Sequence, residues 1–346
     1  MPRMIEIVNP LQRPEWDDLL STYRKSGFFH TTAWARVLHD SYGYEPAYIT
    51  IKDGPDLLAL VLLMDVRSCL TGRRGVSLPF TDCCDPLLED GVRLEWIIGD
   101  LIDYGKRAKW RYLELRTASP LPEGVQASVV FHGHLLDISR SEKELSAGFR
   151  DSTRRNIRKA EKEGVEVTID GSEESLREFY RLNCMTRRDH GLPCQPYGFF
   201  KKVYSHIIAK DLGKVVLAVK DGKTIAGALF FHFGDGAVYK FGASDRNYIH
   251  LRCNNLVIWK AIQWYRNSGF TNFDLGRTEA ENAGLLQFKR GWGAKEYTIN
   301  YCRYDFRKNV FVTEHSKVTG WHNRIFRRMP LPLLRFAGSM LYRHAG

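Results

Sequence analysis

The chain has 346 residues, about twice the size of a typical domain, so its length favours two domains over one. Apolar residues make up 44% and charged residues 26%, enough to build buried cores and to exclude disorder as the main state. The net charge of +11 is concentrated: residues 150–162 hold six Lys or Arg against two acids, and residues 303–346 hold nine against two. Local excesses of that kind point to an anionic partner, whether nucleic acid, a phosphorylated small molecule or an acidic membrane face.

The longest uninterrupted apolar run, Leu57 to Met64, has eight residues, where a membrane-spanning helix needs about 20. With no signal-like apolar stretch through Asp18, a cytosolic chain is expected. The seven cysteines are odd in number and show no Cys-x-x-Cys or Cys/His ligand spacing, which predicts reduced, mostly buried thiols rather than a disulfide framework or a zinc site.

Taken in chain order, the first strong signal is YITIKDGPDLLALVLLMDV (48–66), an apolar strand, a Lys-Asp-Gly turn and a second strand. A helix over 96–108 and a strand WRYLELR (110–116) follow. The link 141–169 begins with Ser141 and Glu144 in capping-box spacing, and Gly164 marks a helix end before the strand VEVTI. Within it Arg154, Arg155, Arg158, Lys159 and Lys162 recur at steps of three and four and share a broad helix face that calls for anions. VVLAVKDGKTIAGALFFHF (215–233) then repeats the first hairpin around its own Lys-Asp-Gly, followed by a helix over 256–267 and the strand FTNFDLGR (270–277). One α/β module is therefore expected twice, over 1–145 and 146–305, the second opening with the basic helix 146–163. In the tail, 306–346, Trp321, Ile325, Phe326 and Met329 form one apolar stripe. After Pro330 and Pro332, Leu333, Phe336, Ala337, Met340 and Leu341 form another, with arginines opposite both. The tail is expected to pack back on the first domain or to rest on an acidic bilayer.

This strand–turn–strand–helix–strand order resembles the GNAT acyltransferase unit, in α/β architecture with mixed sheets, so two tandem GNAT-like domains are expected. In that fold a glycine-bearing turn at a helix start cradles the coenzyme A pyrophosphate. The equivalent stretch here, 245–262, contains no glycine. RRNIRKAEKEG (154–164), YKFGAS with LVIWKAIQWYRNSGFTNFDLGR (239–277), and above all LLQFKRGWGA (285–294) are similar to the FemABX aminoacyltransferases. FFHTTAWARVL (28–38) is similar to their first-domain segment. The subgroup it resembles most is FemAB-related and associated with exopolysaccharide and protein-sorting systems.

The resemblance implies transfer of an amino acid from aminoacyl-tRNA to an amine of a cell-wall or envelope polysaccharide precursor. An activated ester needs orientation, removal of a proton and a donor for the oxyanion, with no covalent nucleophile and no cofactor. Lys289 matches the family lysine near the ester and is the expected catalytic residue, placed in an exposed cleft. Arg188, with Arg187 as rival, matches an arginine that contacts precursor phosphates, and Tyr239 and Arg252 complete the expected substrate-binding set. Arg154, Arg155, Arg158, Lys159 and Lys162 are expected to bind tRNA. The family's phosphate-binding lysine, four residues beyond Trp34, is replaced by Leu38, which argues against a soluble nucleotide-linked acceptor. An acyl-CoA or acyl-carrier-protein donor, and a non-catalytic assembly factor on the same fold, are the alternatives. Cys83-Cys84 reads as a packed turn, His132 and His134 lack a third zinc ligand, and Ser244 lacks the glycine of a nucleophile elbow.

Overall fold

Both Lys-Asp-Gly stretches form the hairpins expected of them. The computed structural model describes residues 4–23, 25–54, 56–313 and 322–346. The chain divides into two compact units, residues 1–132 with 298–317 and 343–346, and residues 133–297 with 318–342.

In the first unit β1 (Met4–Val8), α1 (Trp16–Ser21) and α2 (Thr32–Tyr42) precede β2 (Glu45–Pro46). The hairpin is β3 (Tyr48–Asp53) and β4 (Asp56–Val61), and β5 (Met64–Ser68), β6 (Gly72–Val76) and β7 (Leu87–Leu88) follow. α3 (Glu95–Arg107) leads into β8 (Tyr112–Thr117). β1, β3, β4 and β7 form one antiparallel sheet. β6 and β8 pair in parallel, the arrangement that a helical crossover such as α3 makes possible. Ile97 and Leu101 of α3 pack with Ile49, Val61, Leu113 and Tyr304 in this unit's core.

The second unit takes in β9 (Val129–Asp137) from residue 133, then α4 (Glu142–Gly148), α5 (Asp151–Lys162), β10 (Glu166–Asp170), α6 (Glu173–Asp189) and α7 (Tyr197–His206). The second hairpin, β11 (Gly213–Lys220) and β12 (Lys223–Phe233), turns through Asp221 and Gly222, both at positive φ, as a two-residue hairpin turn requires. β13 (Gly236–Ser244), α8 (Cys253–Asn267) and β14 (Asn272–Asp274) complete the module, with β13 and β14 in parallel across α8. Each unit thus contains a parallel pair bridged by one helix, which is what duplication of a module predicts.

β15 (Thr278–Glu279), α9 (Ala283–Arg290), β16 (Lys295–Asp305) and β17 (Val310–Val312) follow, and α10 (His322–Arg328) and α11 (Leu331–Ala345) form the tail. The division at 132/133 differs from the expected 145/146 boundary because residues 135–137 of β9 pair with β14, and the first unit is discontinuous because residues 300–305 of β16 return to pair with β8. The tail also differs from expectation. Its start, through β17, and its last residues, 343–346, group with the first unit, but 322–342 group with the second. Pro330 precedes α11 and Pro332 sits in its first turn, where a missing N–H costs nothing. Trp321 of the first apolar stripe lies outside the described residues.

Candidate active site

In the second unit the parallel pairing of β13 with β14 covers Gly236–Val238 against Asn272–Asp274 and stops there, while β13 runs on to Ser244 bonded to β12. Tyr239 is the first residue beyond the paired stretch. From it onward one backbone edge of β13 has no β14 partner, the kind of opening between strands that accepts an extended ligand. A register shift against β12 between Leu229 and Phe230 bulges β13 near Lys240, a device that re-aims neighbouring side chains. The Tyr239 ring tilts against Phe230 at 5.5 Å, and its hydroxyl lies where a Cβ on Gly242 would stand, so any other residue at 242 would displace the Tyr239 side chain. Burial raises the Tyr239 phenol to about 12, which keeps it a hydrogen-bond donor at neutral pH.

Asp274, at the end of β14, accepts from the Tyr297 hydroxyl at 2.8 Å and from the backbone N–H of Gly276 at 2.7 Å. Beyond it, Lys289 corrects the expectation of an exposed cleft residue, for it is 3% exposed. Its ammonium donates to the carbonyl oxygens of Gly276 and Arg277 at 2.8 Å each, bracing the loop after β14. The reason is local: Lys289 follows buried Leu286 by one helical turn on α9 and so shares its inward face.

His134, which the sequence offers only as an incomplete zinc ligand set, lies within reach of the Lys289 charge. Its ring is wholly buried, with Nε2 3.5 Å from Glu296 Oε2, a carboxylate that Arg290 holds through hydrogen bonds of 2.7 and 3.0 Å. Burial first, and the Lys289 charge second, lower the ring to about 4, so it is neutral at pH 7. Strand periodicity around Gly133 carried the missed signal. A Cβ at Gly133 would meet the Tyr297 ring at 2.2 Å, so the glycine admits that ring on one face while His134 points to the other.

The Gly-Trp-Gly of the 285–294 block has a packing rationale. Gly293, at φ +69, would place a Cβ 2.7 Å from the Gly148 carbonyl, and the Gly291 carbonyl accepts the Arg150 N–H at 2.9 Å. Trp292 is fully buried against Phe149 at 5.0 Å. The block therefore clamps the start of the basic helix α5. On α5, Thr153, Ile157 and Ala160 face inward, and Arg155, Arg158, Lys159 and Lys162 are exposed. Arg154 differs: it donates to the carbonyl oxygens of Ser146, Ala147 and Phe149 and pairs with Asp151, so it is committed to closing α4.

Of the α6 pair, Arg187 donates to the Pro193 carbonyl and to the Tyr342 hydroxyl, so it holds structure. Arg188 is half-buried with no side-chain ion pair or hydrogen bond among the described residues. Two residues earlier on α6, the Thr186 hydroxyl and Ser244 exchange hydrogen bonds at 3.0 and 3.2 Å, fixing α6 to the far end of β13. Arg252 is exposed at φ +60 as the N-cap of α8, and no bond ties it to Lys289. The stretch before α8 keeps no glycine: Asp245 caps its own turn through the Asn247 N–H. In the first unit Leu38 and Trp34 are fully buried core residues. Asp85, after the cysteine pair, accepts from Thr117, Ala118 and Ser119, closing a packed turn. The tail helix α11 seats Leu334, Gly338 and Tyr342 inward and leaves Leu333, Phe336 and Met340 more than half exposed.

Residues 147–290 match the family model described as acetyltransferase (GNAT) domain. The chain is 29% identical over 117 residues to the lipid II:glycine glycyltransferase of Staphylococcus epidermidis, covering 30% of this chain and 28% of that one. It is 25% identical over 144 residues to the UDP-N-acetylmuramoylpentapeptide-lysine N(6)-alanyltransferase of Weissella viridescens, covering 41% and 42%. The chain therefore aligns with well under half the length of these relatives. Among solved structures it is similar to FemX, at TM-score 0.67 and 15% identity over 89% of this chain and 98% of that chain. It is also similar to a tandem GNAT protein from the clavulanic acid biosynthesis pathway, at TM-score 0.53 and 11% identity over 86% and 97%.

Proposed function

We propose that this chain, a tandem-GNAT protein of the FemABX type, transfers an aminoacyl group from aminoacyl-tRNA to an amine of a cell-wall or envelope polysaccharide precursor. The observation that carries this reading is the exposed cationic face of α5, clamped by the Gly-Trp-Gly block to the loop-and-helix segment that holds Lys289. Four exposed cations on a rigid helix suit a polyphosphate backbone. The glycine-free stretch before α8 supports a donor other than coenzyme A. Relatives named for glycyl transfer to lipid II and alanyl transfer to a muropeptide lysine support an amine acceptor.

In this reading the ester lies along the open edge of β13. Backbone N–H groups beyond Tyr239 and the Tyr239 hydroxyl are the candidate donors to the developing oxyanion. Lys289 acts as a fixed cation that holds the 276–277 loop in register and supplies positive potential to the tetrahedral intermediate. Neutral His134 beside it adds no competing positive charge. Arg188 is the candidate ligand for an acceptor phosphate, its fork matching paired oxygens. Leu38, buried where the FemABX resemblance places a phosphate-binding lysine, favours an acceptor that is not nucleotide-linked. Incubating the protein with a charged tRNA pool and either lipid-linked or soluble nucleotide-linked precursor, with mass spectrometry of the acceptors, tests the proposal. An aminoacyl mass increment on the lipid-linked acceptor is expected. Charged tRNA that is neither bound nor consumed would refute it.

A further inference from the structure

The first unit contains a cavity of about 980 Å³ lined by β8, β16, β17 and the turn at Leu70 and Thr71. None of the residues of the transfer reading belongs to it. Three cations line it, Arg111, Arg303 and Lys308, against one acid, Asp305. Asp305 is already committed, accepting the backbone N–H groups of Arg307 and Lys308 at 2.8 and 3.1 Å. The side chains of Arg111 and Lys308 have no ion pair or hydrogen bond among the described residues, and both residues are exposed.

Arg303 sits deeper. Its guanidinium lies over the Tyr112 ring at 4.3 Å, and one terminal nitrogen donates to Glu114 at 2.6 Å. Glu114 is shared with Arg116 at 2.8 Å, so one carboxylate serves two guanidiniums. The buried Nε of Arg303 has no hydrogen-bond acceptor among the described residues, and an orphaned buried donor costs about 1–3 kcal/mol. With Asp305 committed and Arg111 and Lys308 unpaired among the described residues, the lining carries an excess of positive charge of the kind that attracts an anion. At the cavity lining stand two apolar side chains facing water, Leu70 at 69% and Val310 at 49% exposure.

We propose that this cavity binds a phosphoryl group, with Arg111, Arg303 and Lys308 as its ligands and Leu70 and Val310 meeting an apolar chain attached to it. A phosphate monoester brings close to two charges and three acceptor oxygens, which match three cations, where a carboxylate would leave one unused. The volume exceeds that of a phosphate alone and suits a headgroup with its first substituents. Two sources share this chemistry, a lipid headgroup and a soluble phosphate ester, and the exposed Leu70 and Val310 favour the lipid. The site goes beyond the transfer reading and does not depend on it.

The test uses the full chain and two probes, glycerol 3-phosphate by calorimetry and phosphatidylcholine vesicles containing phosphatidic acid by co-sedimentation. The wild type is expected to bind, and an Arg111→Gln/Lys308→Gln double variant to bind at least about tenfold more weakly with an unchanged melting temperature. Leu70→Ser/Val310→Ser is expected to weaken vesicle binding and to leave glycerol 3-phosphate binding as it was. Charge-dependent binding to glycerol 3-phosphate alone would assign the site to soluble esters, and charge-dependent binding to vesicles alone to a headgroup. Either result supports the phosphoryl site. Binding to neither probe, or equal binding by the charge double variant and the wild type, would overturn it.

Discussion

Replacing Lys289 by Met keeps the side-chain stem and removes the ammonium, and the structure predicts a loss of stability together with any loss of transfer. The ammonium satisfies two carbonyl oxygens, of Gly276 and Arg277, in a site 3% exposed to water. Leaving two such acceptors unpaired costs about 1–3 kcal/mol each, hence roughly 2–6 kcal/mol, partly offset because a buried charge is removed as well. At about 2–4 °C per kcal/mol for a large domain, a fall in melting temperature on the order of 10 °C is expected. A second readout is specific to the cation. Lys289 is the next cause, after burial, of the low ring pKa of His134, so the His134 titration followed by NMR should move up in the variant. Scanning calorimetry of both proteins at neutral pH makes the comparison. A Lys289→Met chain that melts with the wild type and leaves His134 unmoved would refute the bracing role and return Lys289 to chemistry alone.

Charge reversal at Arg155 and Arg158, both exposed on α5, should weaken tRNA binding and flatten its salt dependence, whereas Arg154→Ala should chiefly lower the melting temperature, since Arg154 closes α4. Binding isotherms across a salt series check this, and superimposable lines for the double variant and the wild type would exclude α5 as the contact. His134 is lowered to about 4 in the folded chain, so between pH 6.5 and 4 the unfolded chain takes up a proton that the folded one does not. Stability should therefore fall by about 3 kcal/mol over that window, and His134→Gln should flatten that part of the curve in urea melts at stepped pH. Glu114, held near 2 by Arg116 and Arg303 against the opposing effect of burial, adds a loss in the same direction below about pH 4.5. Serine in place of Leu333, Phe336 and Met340 should abolish flotation with anionic vesicles if the outer face of α11 meets a bilayer. Truncation at Pro330 should lower the melting temperature through the loss of Leu334, Gly338 and Tyr342.

What the sequence disclosed follows from which forces are local. The hairpins at 48–66 and 215–233, the capping box at Ser141 and the glycine stop at Gly164 depend on neighbours within a few residues, and all stand in the structure. Lys289 was legible as a motif position but not as a buried group, because its two acceptors are carbonyls 12 and 13 residues away whose orientation no side-chain pattern reports. Arg154 shares the spacing of Arg155 and Arg158, yet its partners are the carbonyls of the preceding helix end, so an electrostatic stripe in sequence included one structural member. The spacing of His134 speaks only to metal ligation, whereas what makes it notable is burial near a cation, which spacing does not report. The return of β16 to β8 was invisible for the usual reason that strand pairing over a long separation leaves no periodic trace.

That return has a consequence for synthesis. β8 is complete once residue 117 is made, but the strand that covers its second edge, with Tyr304 and the Phe306 ring that fills the space left by Gly105, arrives only after the whole second module has been translated. Until then the nascent first module carries an open strand edge and an unfilled core, the features that recruit unwanted partners. The second module waits as well, since residues 322–342 of the tail group with it and are made last. A fragment ending near residue 145 is for the same reason a poor unit for expression, and so is 133–297, which cuts β16 after Tyr297 and leaves out α11, whose Tyr342 bonds Arg187 and the Pro193 carbonyl.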